Sequence, residues 1–148
     1  MKRELLIAGG GFVLICGLLY GLSLVVAIHH VPTGSMEPTI ERDSRIVVSE
    51  WGSHEDLESG EIIVFHADGN ESDRLVVHRA VSYVSEGDDW VAALEGNTTG
   101  SLTCAEAVHC PAPNEGYITK GDSNPSYDQE TGLSRPVEPQ WITGTYWR

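Results

Sequence analysis

Lysine is nearly missing from this chain: among 148 residues only Lys2 and Lys120 carry an ammonium, and arginine brings the cations to just 9. Set against 22 acidic residues, so small a basic complement excludes nucleic acid as a partner, because the surface would repel its phosphates. It also narrows any catalytic amine to Lys120, since Lys2 is separated from the rest of the chain by a long apolar run. Cysteine is scarce too, which rules out a disulfide-rich scaffold. Cys16 lies in the apolar run, while Cys104 and Cys110 could either close one small loop on an oxidising side of a membrane or stand as two free thiols. With His109 they offer only three candidate ligands, short of a structural zinc site.

Charge is absent altogether from residues 5–28. As a helix, at ~1.5 Å per residue, this stretch reaches roughly 36 Å, enough for a ~30 Å hydrocarbon core. Lys2 and Arg3 precede it and His29 and His30 follow it, so the preference for Lys/Arg on the cytoplasmic side sends the remainder outward. The expected organisation is a cytoplasmic segment 1–4, a transmembrane helix 5–28 and an extracytoplasmic domain 31–148. A cleavable signal is the rival, with Val25-Val26-Ala27 as its small-residue pattern, but the run exceeds the usual ~7–15 residues of a signal core. Because Lys2, Arg3 and Glu4 are the only charges before residue 31, the domain holds 21 acidic against 7 basic side chains. So dense a carboxylate surface suits high salt, where its self-repulsion is screened.

Beyond residue 30 short β-branched or aromatic runs at 46–48, 62–65, 75–84, 90–94, 117–119 and 141–147 are bounded by Gly, Asp, Asn, Ser or Pro. They predict a mainly β domain of barrel or sandwich type. Residues 95–115 lack periodicity and read as an insertion loop. Two glycosylation sequons, at Asn70 and Asn97, fall in predicted loops.

Three segments carry chemistry. In Pro32-Thr33-Gly34-Ser35-Met36-Glu37-Pro38, Gly34 lets the chain turn and Pro38 restrains Glu37, which would present Ser35 as a nucleophile; a plain juxtamembrane turn is the alternative. In the strand 75–84, period 2 sets His78 on one face with Val76 and Ala80 and puts Arg79 on the other. An imidazole can take a serine proton near neutral pH and return it to a leaving amine, although strand histidines are often merely hydrogen-bonded. Last, Asp122 and Asp128 follow the run 117–119, and either carboxylate could orient such a histidine or serve only as a turn residue.

Taken in order, Ser35-Met36-x-Pro38, Gly60-Glu61-Ile62-Ile63-Val64-Phe65, Val77-His78-Arg79 and Lys120-Gly121-Asp122-x-Asn124 resemble the boxes of signal peptidase I. The bacterial branch has lysine where this chain has His78, so the chain is similar to the archaeal and endoplasmic-reticulum branch, and its acidity suggests a haloarchaeal member. The resemblance implies a membrane-bound serine endopeptidase that removes signal peptides, with Ser35 as nucleophile, His78 as general base and an aspartate as third member. Asp128 sits where that branch's triad aspartate falls, and Asp122 matches the supporting aspartate. Oxyanion donors would be the Ser35 N–H and the Thr33 hydroxyl, where most members have serine. The substrate would lie extended beside Ile62, Ile63, Val64 and Phe65, with shallow pockets for small side chains. No metal or organic cofactor is implied; the partners are preprotein signal peptides, membrane lipid, and translocation machinery or accessory subunits. The rival function is a membrane-tethered β-domain that binds exported proteins without cleaving them.

Overall fold

The apolar run Ile62-Ile63-Val64-Phe65 becomes the central strand of the protein, and its burial on both faces explains why no polar residue interrupts it. Ile62 and Val64 pack with Val31, Met36, Ile40, Ile46 and Val48; Ile63 and Phe65 pack on the opposite face with Ala80, Tyr117, Val137 and Ile142. A computed structural model describes residues 26–50, 52, 54–94 and 102–147. There, β1 (Val26–Val31), β2 (Ser44–Ser49), β3 (Ile62–His66), β4 (Leu75–Val84), β5 (Gly116–Lys120) and β6 (Ile142–Tyr146) form one antiparallel sheet, ordered β1-β2-β6-β3-β4-β5. The mainly β expectation holds, with the strands of the described residues paired in a single sheet and not in the two layers of a sandwich.

Strand β4 changes partner along its length. Residues 75–79 pair with β3, whereas β5 pairs only from Arg79 onward. Among the described residues the segment Leu75–His78 therefore has a free main-chain edge on one side. Strand β1, at the end of the sheet, has another.

Two elements differ from the sequence reading. Val26, Ala27 and Ile28, expected to end a helix, belong to β1 and pair with Ser49, Val48 and Val47. The β-branched Val26 and Ile28 suit a strand, and the open edge of β2 supplies their hydrogen bonds. The β unit thus opens before residue 31. Residues 5–25 of the expected transmembrane helix lie outside the described residues; among those that are described, no helix is long and apolar enough to cross a membrane. The run 90–94, expected as a strand, is the helical turn α1 (Trp90–Ala93), because Asp89 accepts from the Ala92 N–H at 3.0 Å and Trp90, Val91 and Leu94 are all buried, a helical spacing.

Within the expected loop 95–115, residues 95–101 lie outside the described residues, and so does the Asn97 sequon. The remainder is packed: Ala107 and Ala112 are buried against Trp90, whose indole N–H donates to the His109 carbonyl at 2.8 Å. Cys104 and Cys110 are joined in a disulfide, with Cα atoms 5.0 Å apart, so neither is available as a thiolate ligand.

Candidate active site

Ser35 sits half-buried on the turn between β1 and β2. The turn is held from below by Met36 and Ile40, 0% and 3% exposed and packed in the core beneath the site. It is held from the side by Ser123, whose N–H donates to the Ser35 carbonyl at 2.9 Å and whose hydroxyl donates to the Gly34 carbonyl at 2.7 Å. Glycine at 121 permits this approach, since a Cβ there would lie 2.7 Å from the Ser35 carbonyl oxygen. Gly121→Ala should therefore displace the serine; with a shift approaching 1 Å, turnover should drop about 100-fold. Native turnover in a folded Gly121→Ala chain would show that the turn tolerates the movement.

His78, buried at 5% exposure, is on β4 opposite Ile63 of β3. Its Nε2 lies 3.1 Å from Ser35 Oγ, and its Nδ1 lies 2.7 Å from Asp128 Oδ2. Asp128 opens the short helix α2 (Asp128–Thr131) and is 2% exposed. An ionised carboxylate can only accept, so the imidazole proton belongs on Nδ1 and the lone pair of Nε2 faces the serine hydroxyl. Thr33 Oγ1 lies 3.3 Å from Ser35 Oγ, at the same mouth.

Asp122 is placed elsewhere. It binds the Arg79 guanidinium through both carboxylate oxygens, at 2.8 and 2.6 Å, and accepts from Thr39 Oγ1 at 2.5 Å. Arg79 also donates to the Gly60 carbonyl, so this group ties the turn after Ser35, the start of β3 and the strand bearing His78 together. Burial pushes the Asp122 carboxyl up, but hydrogen bonds from Arg79 and Thr39 and the guanidinium charge outweigh it and hold it below the usual carboxylate range. A carboxyl depressed in the folded state contributes stability above its unfolded value of ~3.9, and that contribution is lost as pH falls through the folded value. The melting temperature of the native chain should decline below about pH 4, and Asp122→Asn should flatten that decline. Equal acid slopes for both would show that the pair carries no such linkage.

Lys120, the one amine near these residues in sequence, lies over the Tyr127 ring at 5.0 Å. Ile62, Ile63, Val64 and Phe65, expected to flank a substrate, cannot offer it a main-chain edge: β3 is hydrogen-bonded to β4 on one side and β6 on the other. Only Val64 of the four reaches a groove of about 640 Å³ that opens beside Ser35 and His78. Its walls are the two free edges, residues 29–31 of β1 and residues 75–77 of β4. The strand order alone would have pointed there, but strand order is not readable from a run of apolar residues. Ser123, Thr119 and Gln129, which also reach the site, carry no sequence signal beyond their closeness to Asp122 and Asp128.

A hydroxyl, an imidazole and a carboxylate linked in that order are the groups serine hydrolases use, here at the end of a groove with unpaired strand edges. The family model described as "Signal peptidase, peptidase S26" matches residues 5–84, and the chain belongs to that family. It is similar to the signal peptidase complex catalytic subunit sec11 of Aspergillus oryzae (strain ATCC 42149 / RIB 40), with 34% identity over 100 residues, 68% of this chain and 46% of the relative. The chain thus spans about half the length of that curated relative.

Proposed function

We propose that this chain is a membrane-tethered serine endopeptidase that removes signal peptides from exported preproteins. The observation that carries the reading is the uninterrupted link from Ser35 Oγ through His78 to Asp128 beside the groove. Ser35 Oγ attacks the scissile carbonyl as its proton passes to His78 Nε2. The tetrahedral oxyanion is met by the Ser35 N–H and the Thr33 hydroxyl, and collapse breaks the C–N bond as His78 gives the proton to the departing amine. Water, activated by the same imidazole, then hydrolyses the acyl-enzyme.

The substrate segment is taken as an added strand between β1 and Leu75–His78, where, among the described residues, neither edge has a strand partner. Val31, Val64 and Val77 give the groove an apolar wall. The uncharged run before β1 anchors the domain on the exported face, and Lys2 and Arg3 stay cytoplasmic. Accessory subunits are a further part of the reading, since the relative is named as a subunit of a complex. An acidic surface adapted to high salt completes it.

The test is cleavage of a model preprotein in membranes carrying this chain or its Ser35→Ala variant, at high and low salt. A mature-length product from the first alone supports the reading, and a product favoured at high salt supports the salt adaptation. No product from either, with the domain folded and accessory subunits supplied, would leave a binding domain.

A further inference from the structure

Two polar side chains beside Asp128 have no part in the steps above, yet both are wholly buried: Thr119 and Gln129 are each 0% exposed. Thr119 lies on β5 opposite Ala80, two residues beyond His78 on β4, and Gln129 follows Asp128 in α2. Polar groups so deep must find partners, and the partners here leave one arrangement of protons. The Thr119 main-chain N–H can only donate, and it does so to Gln129 Oε1 at 2.9 Å, which sets the orientation of the amide. Gln129 Nε2 then donates to the Arg135 carbonyl at 3.2 Å and to Thr119 Oγ1 at 3.3 Å. With a donor already aimed at its oxygen, the Thr119 hydroxyl sends its own proton to Asp128 Oδ2, 2.7 Å away. That is the oxygen that accepts from His78 Nδ1.

We propose that Thr119 is a positioning residue for the cleavage reaction: its hydroxyl, directed by Gln129, holds the Asp128 carboxylate in the orientation that keeps His78 Nε2 on Ser35 Oγ. This rests on the peptidase reading above. A carboxylate held through one donor can swing about its own side-chain bond and carry the imidazole with it, whereas two donors converging on one oxygen from different elements restrict that swing. Thr119 touches no reacting atom, so its loss should affect the rate of the chemical step and leave substrate binding nearly unchanged.

The experiment uses the full chain in detergent micelles and two readouts: cleavage kinetics on a model preprotein, and the downfield proton resonance of the hydrogen-bonded His78 Nδ1–H. Thr119→Val keeps the shape of the side chain and removes the donor. Its kcat should fall about ten- to a hundredfold, the effect of one hydrogen bond to a charged group, with KM within about twofold. The resonance should shift or broaden, and Thr119→Ser should restore both readouts. Gln129→Met, which keeps the hydroxyl but frees its direction, should give the same pattern more weakly. Native kcat and a native resonance in Thr119→Val would overturn the proposal, as would a loss that merely follows the folded fraction. If the native chain cleaves nothing while the resonance still responds to Thr119→Val, the peptidase reading falls and the positioning contact stands. If the native chain cleaves and Thr119→Val changes neither readout, the peptidase reading stands and the positioning role falls.

Discussion

Ser35→Ala is expected to lower preprotein turnover by about 10⁴- to 10⁶-fold, because in the proposed mechanism nucleophile and base act as a unit and either loss removes the acyl-enzyme route. His78→Gln should cost a similar factor, and the double variant should lose no more than the worse single one. The two differ in their risk to folding. Ser35 is half-buried on a surface turn and among the described residues its hydroxyl meets Thr33 and His78, so Ser35→Ala should stay within about 0.5 kcal/mol of native stability. His78 is buried within β4, and glutamine is chosen there because it fills more of the space than alanine. Rates from the purified chain on a model preprotein, with thermal unfolding as the control, decide the matter. Additive losses in the double variant would mean that the two side chains serve separate functions and would remove the proposed proton transfer.

Asp128→Ala is the second large effect, with turnover expected to fall about 10⁴-fold. It leaves His78 Nδ1 and the Thr119 hydroxyl without the acceptor they share and deprives the imidazolium of its counter-charge. Asp122→Ala makes the contrast, since that carboxylate binds Arg79 and Thr39 and not the imidazole. It should cost about 1.5–3 kcal/mol of stability through the lost charge-assisted hydrogen bonds, with a loss of rate well below that of Asp128→Ala. Measured below both melting transitions, equal rate losses would contradict the separate roles assigned to the two aspartates.

Much of the scaffold is legible from residues alone. The runs at 46–48, 62–65, 75–84 and 117–119 fall on strands, because a β-branched or aromatic stretch bounded by turn residues has few other ways to bury itself, whereas of 141–147 only Ile142–Tyr146 is strand and Trp141 closes a 3-10 turn before it. Strand β1 is not legible in this way, since Val26, Ala27 and Ile28 continue an uncharged run that satisfies helical length equally well and only the edge of β2 separates the two readings. The run 90–94 is ambiguous for a similar reason: five apolar-rich residues fit a strand or a helical turn, and the cap from Asp89 decides.

Sequence by itself picked out the side chains proposed for the chemistry: a serine in a glycine-containing turn, a lone histidine in an apolar strand, the aspartate of a Gly-Asp pair and a second aspartate six residues beyond it. Its acidity argues against nucleic acid as a partner, and beyond residue 30 it leaves Lys120 as the one lysine, since composition limits chemistry before any folding. Only the tertiary structure decided which aspartate meets the imidazole, that Lys120 stacks on Tyr127, and that the groove runs between β1 and β4 and not along β3. The physical reason is distance along the chain. Ser35 and His78 are 43 residues apart, and His78 and Asp128 are 50 apart, so their contact depends on strand order and register, which arise from the packing of the whole sheet and are not encoded in any local pattern.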